Sequence, residues 1–384
     1  MINLSFFAQK EKFLVLEISP TQTSGFLFSL DSEKNIKLEK QWPVFRWERL
    51  PRRLRHHLEK WKVIVATDSA LATTAILPIS LEREPETSHQ PLSHAELENL
   101  LTQAIAKIFI QCRGEASREL NVEELDTILI DNRVTNFKVD HHHVINPIEF
   151  KAKKIEAVLE LTLTSRSVFD NWKNSFSIGE TRNFFFTETA RAQLFILKRV
   201  KELPLNLAIL SDENSSFIFT LEKAAIGETV RRYRIKWSPQ SLLDTIGTNF
   251  GVSQMVAEKL YHLYLKNEVS PRISRHFNFI LKPIIAPLLN QFENLKIKGP
   301  TYLTSNLELP LFFPKKLGKI NFYCPSADEI VDKLGFKVDL ENWPWSGNQT
   351  FKHIAPLLEF YYNNEDLAIN RWLRRRLHWL GSTR

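Results

Sequence analysis

Glycine is scarce in this sequence. The chain has 11 glycines among 384 residues, against an average usage of about 7%. Loops that cradle phosphate depend on glycine, because their backbone approaches the ligand closely and often adopts a positive φ. The scarcity therefore argues against a glycine-rich phosphate-binding site.

Cysteine-rich patterns and long apolar runs are also missing. Two cysteines, Cys112 and Cys324, form no disulfide framework and favour a reducing cytosol. No apolar run reaches the roughly 18 residues that a membrane-spanning helix needs, and no secretion signal is evident. We therefore expect a cytoplasmic protein. Its net charge of +7 fits an acidic partner or an anionic membrane surface, whereas no motif predicts nucleic-acid binding.

The sequence shows no catalytic or metal-binding constellation. His141, His142 and His143 are consecutive, and adjacent side chains on a strand point to opposite faces, so at most two of them can share one ion. No further ligand stands at a suitable spacing, and no nucleophile motif such as G-x-S-x-G is present. We expect neither a metal site nor a catalytic residue.

Two similar runs of strands organise the chain. One strand pair is predicted from Phe13 to Leu30 and another from Leu205 to Leu221, each followed by a further strand and helical segments. This internal repeat predicts two α/β halves around a cleft. Between the halves, a helix that begins at His94 with Ser93 as its N-cap precedes antiparallel strands, and together they predict a compact α+β unit.

The last segment of the chain is a strongly amphipathic helix. Its apolar stripe and its arginines lie on largely opposite faces, and paired tryptophans with a basic face are typical of a segment that lies in a membrane surface. The alternatives are a final helix packed on the protein body and a nucleic-acid arm. Such a short anchor binds weakly, which favours a self-associating protein. The predicted membrane-binding residues are Ile369, Arg371, Trp372, Leu373, Arg374, Arg375, Arg376, Leu377, Trp379 and Leu380.

The chain resembles the FtsA family of bacterial cell-division proteins. The resemblance rests on the first hairpin, the run VDHHHVINPIEF in the α+β unit, the helix from Glu188, and the tail INRWLRRRLHWL. It implies an actin-like α/β fold with duplicated ribonuclease H-like halves, an inserted α+β subdomain and a C-terminal amphipathic helix. The implied division gives residues 1–75, 165–204 and 350–362 to the first half, 76–164 to the inserted subdomain, 205–349 to the second half, and 363–384 to a linker and the membrane-targeting helix.

The resemblance also implies a nucleotide cleft, and this sequence departs from it. The family's glycine-bearing turns are replaced by Glu-Ile-Ser-Pro at 17–20, by Ser-Asp-Glu-Asn at 211–214 and by Thr-Ser-Asn at 304–306. Leu210 replaces a carboxylate, and Glu213 brings negative charge toward polyphosphate. We therefore expect a degenerate site without hydrolysis, with no cofactor as the favoured outcome and ATP with Mg²⁺ as the alternative. The residues implied for this cleft are Glu17, Thr21, Ser215, Ser216, Glu258, Lys259, Thr304 and Ser305.

Together these patterns predict a membrane-tethering cytoskeletal or cell-division adaptor of the FtsA type, peripheral on the inner face of the cell membrane. The resemblance implies self-association through the inserted subdomain. It also implies an FtsZ-like tubulin homologue, or another division or envelope protein, bound near Arg272, Arg275 and Lys282. The alternatives are a scaffold of type IV pilus assembly similar to PilM and an actin-like ATPase switched by nucleotide.

Overall fold

The first strands of the chain are nearly continuous apolar runs. The computed structural model describes residues 10–46, 61–176, 184–211, 216–224, 227–339, 343, 347–363 and 368–376. It opens with β1 (Glu11–Ile18), β2 (Thr23–Leu30), β3 (Asn35–Trp42) and β4 (Lys62–Thr67). All four side chains from Phe13 to Leu16 are buried, as expected for a strand that is covered on both faces of its sheet.

An inserted unit interrupts the first half after β4. It contains β5 (Ala72–Glu82), α1 (Pro85–Ser88), α2 (His94–Leu120), a 3₁₀ turn (Glu124–Asp126), β6 (Thr127–Val139), β7 (His142–His143) and β8 (Lys154–Ser165). Its strands form an antiparallel sheet in the order β5-β8-β6-β7. The predicted N-cap is confirmed, because the Glu96 amide donates to Ser93 Oγ at 3.2 Å.

The chain then returns to the first sheet and continues into the second. The next elements are α3 (Arg166–Phe176), β9 (Phe184–Glu188), α4 (Thr189–Val200), β10 (Leu205–Leu210), β11 (Ser216–Lys223) and β12 (Glu228–Ile235). Three helices follow, α5 (Gln240–Phe250), α6 (Gln254–Leu265) and α7 (Pro271–Asn294). The remaining elements are β13 (Pro300–Ser305), β14 (Lys316–Leu317), β15 (Ile320–Tyr323), α8 (Ala327–Lys333), β16 (Lys337–Asp339), α9 (Gly347–Asn363) and α10 (Ala368–Arg376).

The two large sheets repeat one strand arrangement. The first has the order β16-β3-β2-β1-β4-β9 and the second the order β12-β11-β10-β13-β15-β14. In each sheet three parallel strands, β1-β4-β9 or β10-β13-β15, are extended on one side by an antiparallel hairpin strand and its neighbour. This duplication, with the inserted unit, confirms the predicted actin-like α/β fold.

One detail differs from the division predicted from sequence. The short strand β16 lies within residues 205–349, which were assigned to the second half, yet it pairs in parallel with β3 of the first sheet. The chain therefore crosses back before α9, and a three-residue strand carries too little periodicity to predict that crossing.

Separate apolar clusters fill the layers. One cluster joins the inner faces of both sheets around α4 and α9, a second packs the second sheet against α5, α6 and α7, and a third packs α2 on the sheet of the inserted unit. Cys112 and Cys324 are both free thiols, as expected. No described helix is long and apolar enough to cross a membrane.

Candidate functional site

The turn between β1 and β2 is closed by its own polar groups. The Ser19 amide donates to the Gln22 carbonyl at 2.9 Å, and the Ser19 hydroxyl donates to the same carbonyl at 3.0 Å. Thr21 is exposed and its hydroxyl lies 3.4 Å from that of Ser19. The turn is therefore an ordinary polar hairpin, without the glycine that close approach to a phosphate needs.

Glu17, at the end of β1, is already paired with another side chain. Its Oε1 lies 2.6 Å from Nδ1 of His353 in α9, and both side chains are largely buried. Burial raises the pKa of the Glu17 carboxyl, but His353 and Lys352 outweigh that effect, so its pKa lies below the usual value. The carboxylate that the resemblance places at this hairpin therefore has a lowered pKa and is held by the imidazole of His353.

The start of α9 also reaches the second sheet. Lys352 Nζ donates to Oδ1 of Asn306 at 3.1 Å, just beyond β13. Thr304 Oγ1 is buried and has no hydrogen-bond partner among the described residues, whereas Ser305 Oγ accepts from the Leu307 amide at 3.3 Å. Consecutive residues of α9 thus tie the ends of β1 and β13 together across the cleft.

The remaining predicted cleft residues do not converge on this point. Ser216 is fully buried and its hydroxyl donates to the Trp237 carbonyl at 2.6 Å, so it fastens the beginning of β11 to the chain after β12. Ser215, with Glu213, lies outside the described residues. Glu258 and Lys259 are exposed on α6, and their side chains have no hydrogen bond or ion pair among the described residues.

A second connection crosses the cleft through Arg232 of β12. Its guanidinium lies 3.9 Å from the centre of the Phe217 ring and donates to the carbonyls of Ser69 and Ala72. It also lies 3.3 Å from a carboxylate oxygen of Glu119 in α2. Arg232 therefore joins the second half to the first half and to the inserted unit.

An open cavity of about 390 Å³ lies beside this connection. Its lining residues are Glu115, Arg118, Glu119, Phe217, Arg232 and Arg234. Nearby, Glu188 is the last residue of β9 and is 1% exposed, and burial raises the pKa of its carboxyl against the opposing charge of Arg232. These residues bring opposite charges together, and the contacts of Arg232 connect β12 with the chain at Ser69 and Ala72 and with α2.

A buried ionic network joins the inserted unit to the first half. Arg133 of β6 donates to Asp131 at 3.0 Å and to Glu359 of α9 at 2.9 Å. Arg191 of α4 lies 3.4 Å from Asp131 and also pairs with Glu160 of β8. All five side chains are at most 6% exposed. Such a network specifies one relative placement of these elements, because separating any pair leaves a buried charge alone.

The structure places part of the predicted membrane-binding helix against the inserted unit. Ile369 and Leu373 of α10 are 5% and 0% exposed and belong to the apolar cluster of the inserted unit, and Trp372 packs half-buried against it. In this conformation the inserted unit therefore covers Ile369 and Leu373 and part of Trp372. Arg371 is exposed.

The other predicted membrane-binding residues follow Leu373 in the sequence. The helix includes Arg374, Arg375 and Arg376, whereas Leu377, Trp379 and Leu380 lie outside the described residues. Their membrane-binding role stays a prediction.

The predicted partner-binding cations share one exposed stripe of α7. Arg272, Arg275 and Lys282 are exposed, and Phe279, between them on the same face, is 75% exposed. Phe279 was not predicted from the sequence as part of this surface. An exposed phenyl ring among cations is suited to an acidic segment that carries an apolar side chain.

The histidine run shows no metal-ligand geometry. His141 Nδ1 lies 3.4 Å from Glu156, and His142 and His143 are exposed on β7. Within the described ranges, no three His, Cys, Asp or Glu side chains lie close enough to hold a metal ion.

The residues of the cleft do not fit a nucleotide. The Glu17 carboxylate is hydrogen-bonded to His353, and the Ser216 hydroxyl donates to the Trp237 carbonyl. The described turns at 19–22 and 304–306 have no glycine. The contacts across the cleft are made by three residues that were not predicted from the sequence: His353, Lys352 and Arg232. Local patterns carried no signal for them, since each acts on residues far away in the chain.

Comparison with known proteins gives only distant structural likeness. No family model matches the chain, and no curated protein sequence matches it significantly. A type IV pilus biogenesis complex of PilM and PilN shares 13% identity over 94% of this chain and 97% of that one, with a TM-score of 0.44.

Two further solved structures show a more distant likeness. The cytoplasmic domain of EpsL, an inner membrane component of the type II secretion system of Vibrio cholerae, shares 11% identity over 82% of this chain and 90% of that one, with a TM-score of 0.29. A dehydratase activator from Clostridium difficile with bound ADPNP shares 7% identity over 93% and 96%, with a TM-score of 0.35. The partners and ligands in these structures are properties of those proteins.

Proposed function

We propose that this chain is a non-hydrolysing adaptor with an actin-like fold. It would join a cytoskeletal or envelope assembly to the inner face of the cell membrane, self-associating through its inserted unit. In this role the two halves supply a rigid scaffold, and the binding surfaces on α7 and the tail supply the contacts.

The pairing of Glu17 with His353 is the observation that carries the proposal. A ligand can drive a conformational switch only by binding one state more tightly than another. Here His353 holds the cleft carboxylate, Lys352 joins α9 to Asn306 after β13, and Arg232 joins β12 to the chain at Ser69 and Ala72. These contacts favour a scaffold that keeps one conformation without nucleotide.

Thermal unfolding with and without nucleotide tests this scaffold role. A ligand at 100 times its Kd stabilises the folded state by about 2.7 kcal/mol. We expect the melting temperature of the intact chain to stay unchanged in millimolar ATP with Mg²⁺. A rise of several degrees that depends on ATP and not on ADP would contradict the proposal and favour a nucleotide-switched protein.

The amphipathic tail supports the membrane part of the proposal. Each arginine near an anionic surface contributes about 1 kcal/mol, and the tail contains four of them beside two tryptophans. We expect anionic vesicles to co-sediment the chain at low salt. A variant with Leu377→Glu and Trp379→Glu should stay in solution, and equal sedimentation of both proteins would contradict a tail-mediated tether.

A second candidate is a scaffold of pilus or secretion machinery that docks a membrane protein rather than lipid. The burial of Ile369 and Leu373 favours it, because these side chains are engaged within the protein. Binding to a cytoplasmic peptide from a pilus or secretion membrane protein would distinguish this candidate from a division adaptor, which should instead bind the acidic peptide of an FtsZ-like protein.

A further inference from the structure

The tail helix α10 is anchored to the inserted unit by one asparagine. Oδ1 of Asn370 accepts from the Val134 amide at 2.8 Å, and Nδ2 of Asn370 donates to the Val134 carbonyl at 2.9 Å. The side-chain amide thus satisfies both backbone groups of one β6 residue, as a neighbouring strand would. Asn370 is 1% exposed, so these two bonds are shielded from water.

The apolar side chains beside Asn370 strengthen the same contact. Ile369 and Leu373 are four residues apart and lie on one face of the helix. Both are buried among the apolar side chains that α2 and the inserted sheet provide. Asn370 selects the position along β6, and the two aliphatic side chains supply the buried area.

The docking site is also linked to the buried ionic network. Val134 follows Arg133, which pairs with Glu359 of α9 at 2.9 Å. Two consecutive residues of β6 therefore hold two consecutive helices of the chain, Arg133 holding α9 and Val134 holding α10. Release of α10 can leave α9 in place, because α9 keeps its own charged anchor.

The face of α10 that packs on the inserted unit is the same face that would insert into a membrane surface. A bilayer gains by burying the same apolar stripe that includes Ile369 and Leu373, and one side chain cannot be buried in both places. We propose that the Ile369–Leu373 face of α10 is a shared interaction surface whose two partners, the inserted unit and an anionic lipid surface, exclude each other. This inference rests on the membrane tether proposed above.

The docked state sets the apparent affinity for lipid. When only a fraction of the molecules has a free helix, the apparent Kd rises by the inverse of that fraction. Weakening the contact at Val134 should therefore tighten lipid binding, although no residue that touches lipid has been added. If α10 bound lipid without first leaving the inserted unit, the same substitution would weaken lipid binding or leave it unchanged.

Hydrogen exchange at the Val134 amide tests the exclusion directly in the intact chain. We expect this amide to be protected in solution, because it donates to Asn370. Vesicles rich in phosphatidylglycerol should accelerate its exchange at least tenfold, while vesicles of phosphatidylcholine alone should leave it unchanged. The exchange of amides within β1 is the internal reference for global stability.

Vesicle co-sedimentation of Asn370→Ala provides the second readout. This variant loses both bonds to Val134, and we expect its half-maximal binding at about tenfold less anionic lipid than the wild type. Asn363→Ala is the matched control, because Asn363 donates to the Glu359 carbonyl within α9 and is not bonded to β6. We expect it to bind vesicles like the wild type.

The outcomes separate this inference from the tether itself. Vesicle binding with Val134 still protected, or with Asn370→Ala no tighter than the wild type, would overturn the exclusion and leave the tether standing. If neither the wild type nor Asn370→Ala binds anionic vesicles, both the exclusion and the tether are wrong.

Discussion

Glu17 at the end of β1 lies 2.6 Å from His353 in α9, although the two residues are 336 positions apart in the sequence. The pair joins the β1–β2 hairpin to α9, whose apolar side chains pack between the two large sheets. Because Lys352 reaches the end of β13 in the second sheet, the beginning of α9 holds both halves.

The Glu17 pair predicts a specific dependence of stability on pH. The pKa of Glu17 lies below its ordinary value of about 4.5 in the folded chain. A lowered folded pKa contributes stability that is present above the ordinary value and lost as the pH falls through the folded value. We expect Glu17→Gln to lower the free energy of unfolding by about 2 kcal/mol at pH 7.

The difference between the two proteins should shrink as the pH falls below about 4.5, which urea unfolding at a series of pH values would measure. Other carboxylates affect both proteins equally and cancel in the difference. A difference that stays constant down to pH 3 would contradict the account of this pair.

Arg232 should stabilise the contact between the second half and the inserted unit. Arg232→Ala removes charge-assisted hydrogen bonds to Ala72 and Ser69 and the pairing with Glu119. We expect a loss of about 3 kcal/mol in the free energy of unfolding, because such bonds contribute about 1.5–3 kcal/mol each and share one side chain.

Arg231 is the matched control for this measurement, since it is the exposed neighbour on the same strand. Arg231→Ala should change the free energy of unfolding by no more than about 0.5 kcal/mol. Lysine at position 232 should restore less than half of the loss, because it lacks the planar fork that reaches several acceptors. If Arg232→Ala and Arg231→Ala changed the free energy of unfolding equally, the contacts of Arg232 would contribute nothing to stability.

The buried network should be sensitive to loss of a single carboxylate. Glu359 accepts from Arg133 and from the Thr187 hydroxyl and is fully buried. Glu359→Gln should destabilise the chain by about 3 kcal/mol, because it leaves a buried guanidinium short of its partner. The exposed pair of Lys333 with Glu329 gives the comparison, and Glu329→Gln should cost less than about 1 kcal/mol.

The exposed stripe on α7 should govern binding of an acidic partner. Charge reversal at Arg272, Arg275 and Lys282 should weaken binding of an acidic peptide at least tenfold, and raised salt should weaken wild-type binding in the same way. Reversal of Lys315, Lys316 and Lys319, which are exposed in the same half, should have little effect. Phe279→Ala should weaken binding without changing its salt dependence.

Local patterns in the sequence were sufficient for much of the fold. The hairpins that start at Phe13 and Leu205 and the helix after Ser93 depend on period, capping and turn residues within short windows. Their repetition predicted the two halves that the strand orders confirm.

The long-range contacts between side chains could not be predicted from local sequence patterns. Glu17 and His353, or Arg133 and Glu359, are separated by more than two hundred residues, and nothing local indicates that they meet. The tail shows a second limit, because an apolar stripe on a helix is satisfied equally by lipid or by protein. The sequence therefore predicted the stripe of Ile369 and Leu373 but not its partner.

Calorimetric titration of the intact chain with ATP and Mg²⁺ tests the central claim most directly. The account predicts no saturable heat up to millimolar nucleotide, and no phosphate release above the background. It predicts the same result for His353→Ala, because freeing Glu17 restores a carboxylate but not the missing glycines. Saturable binding by the wild type with a Kd in the micromolar range would contradict a cleft that is closed by its own side chains.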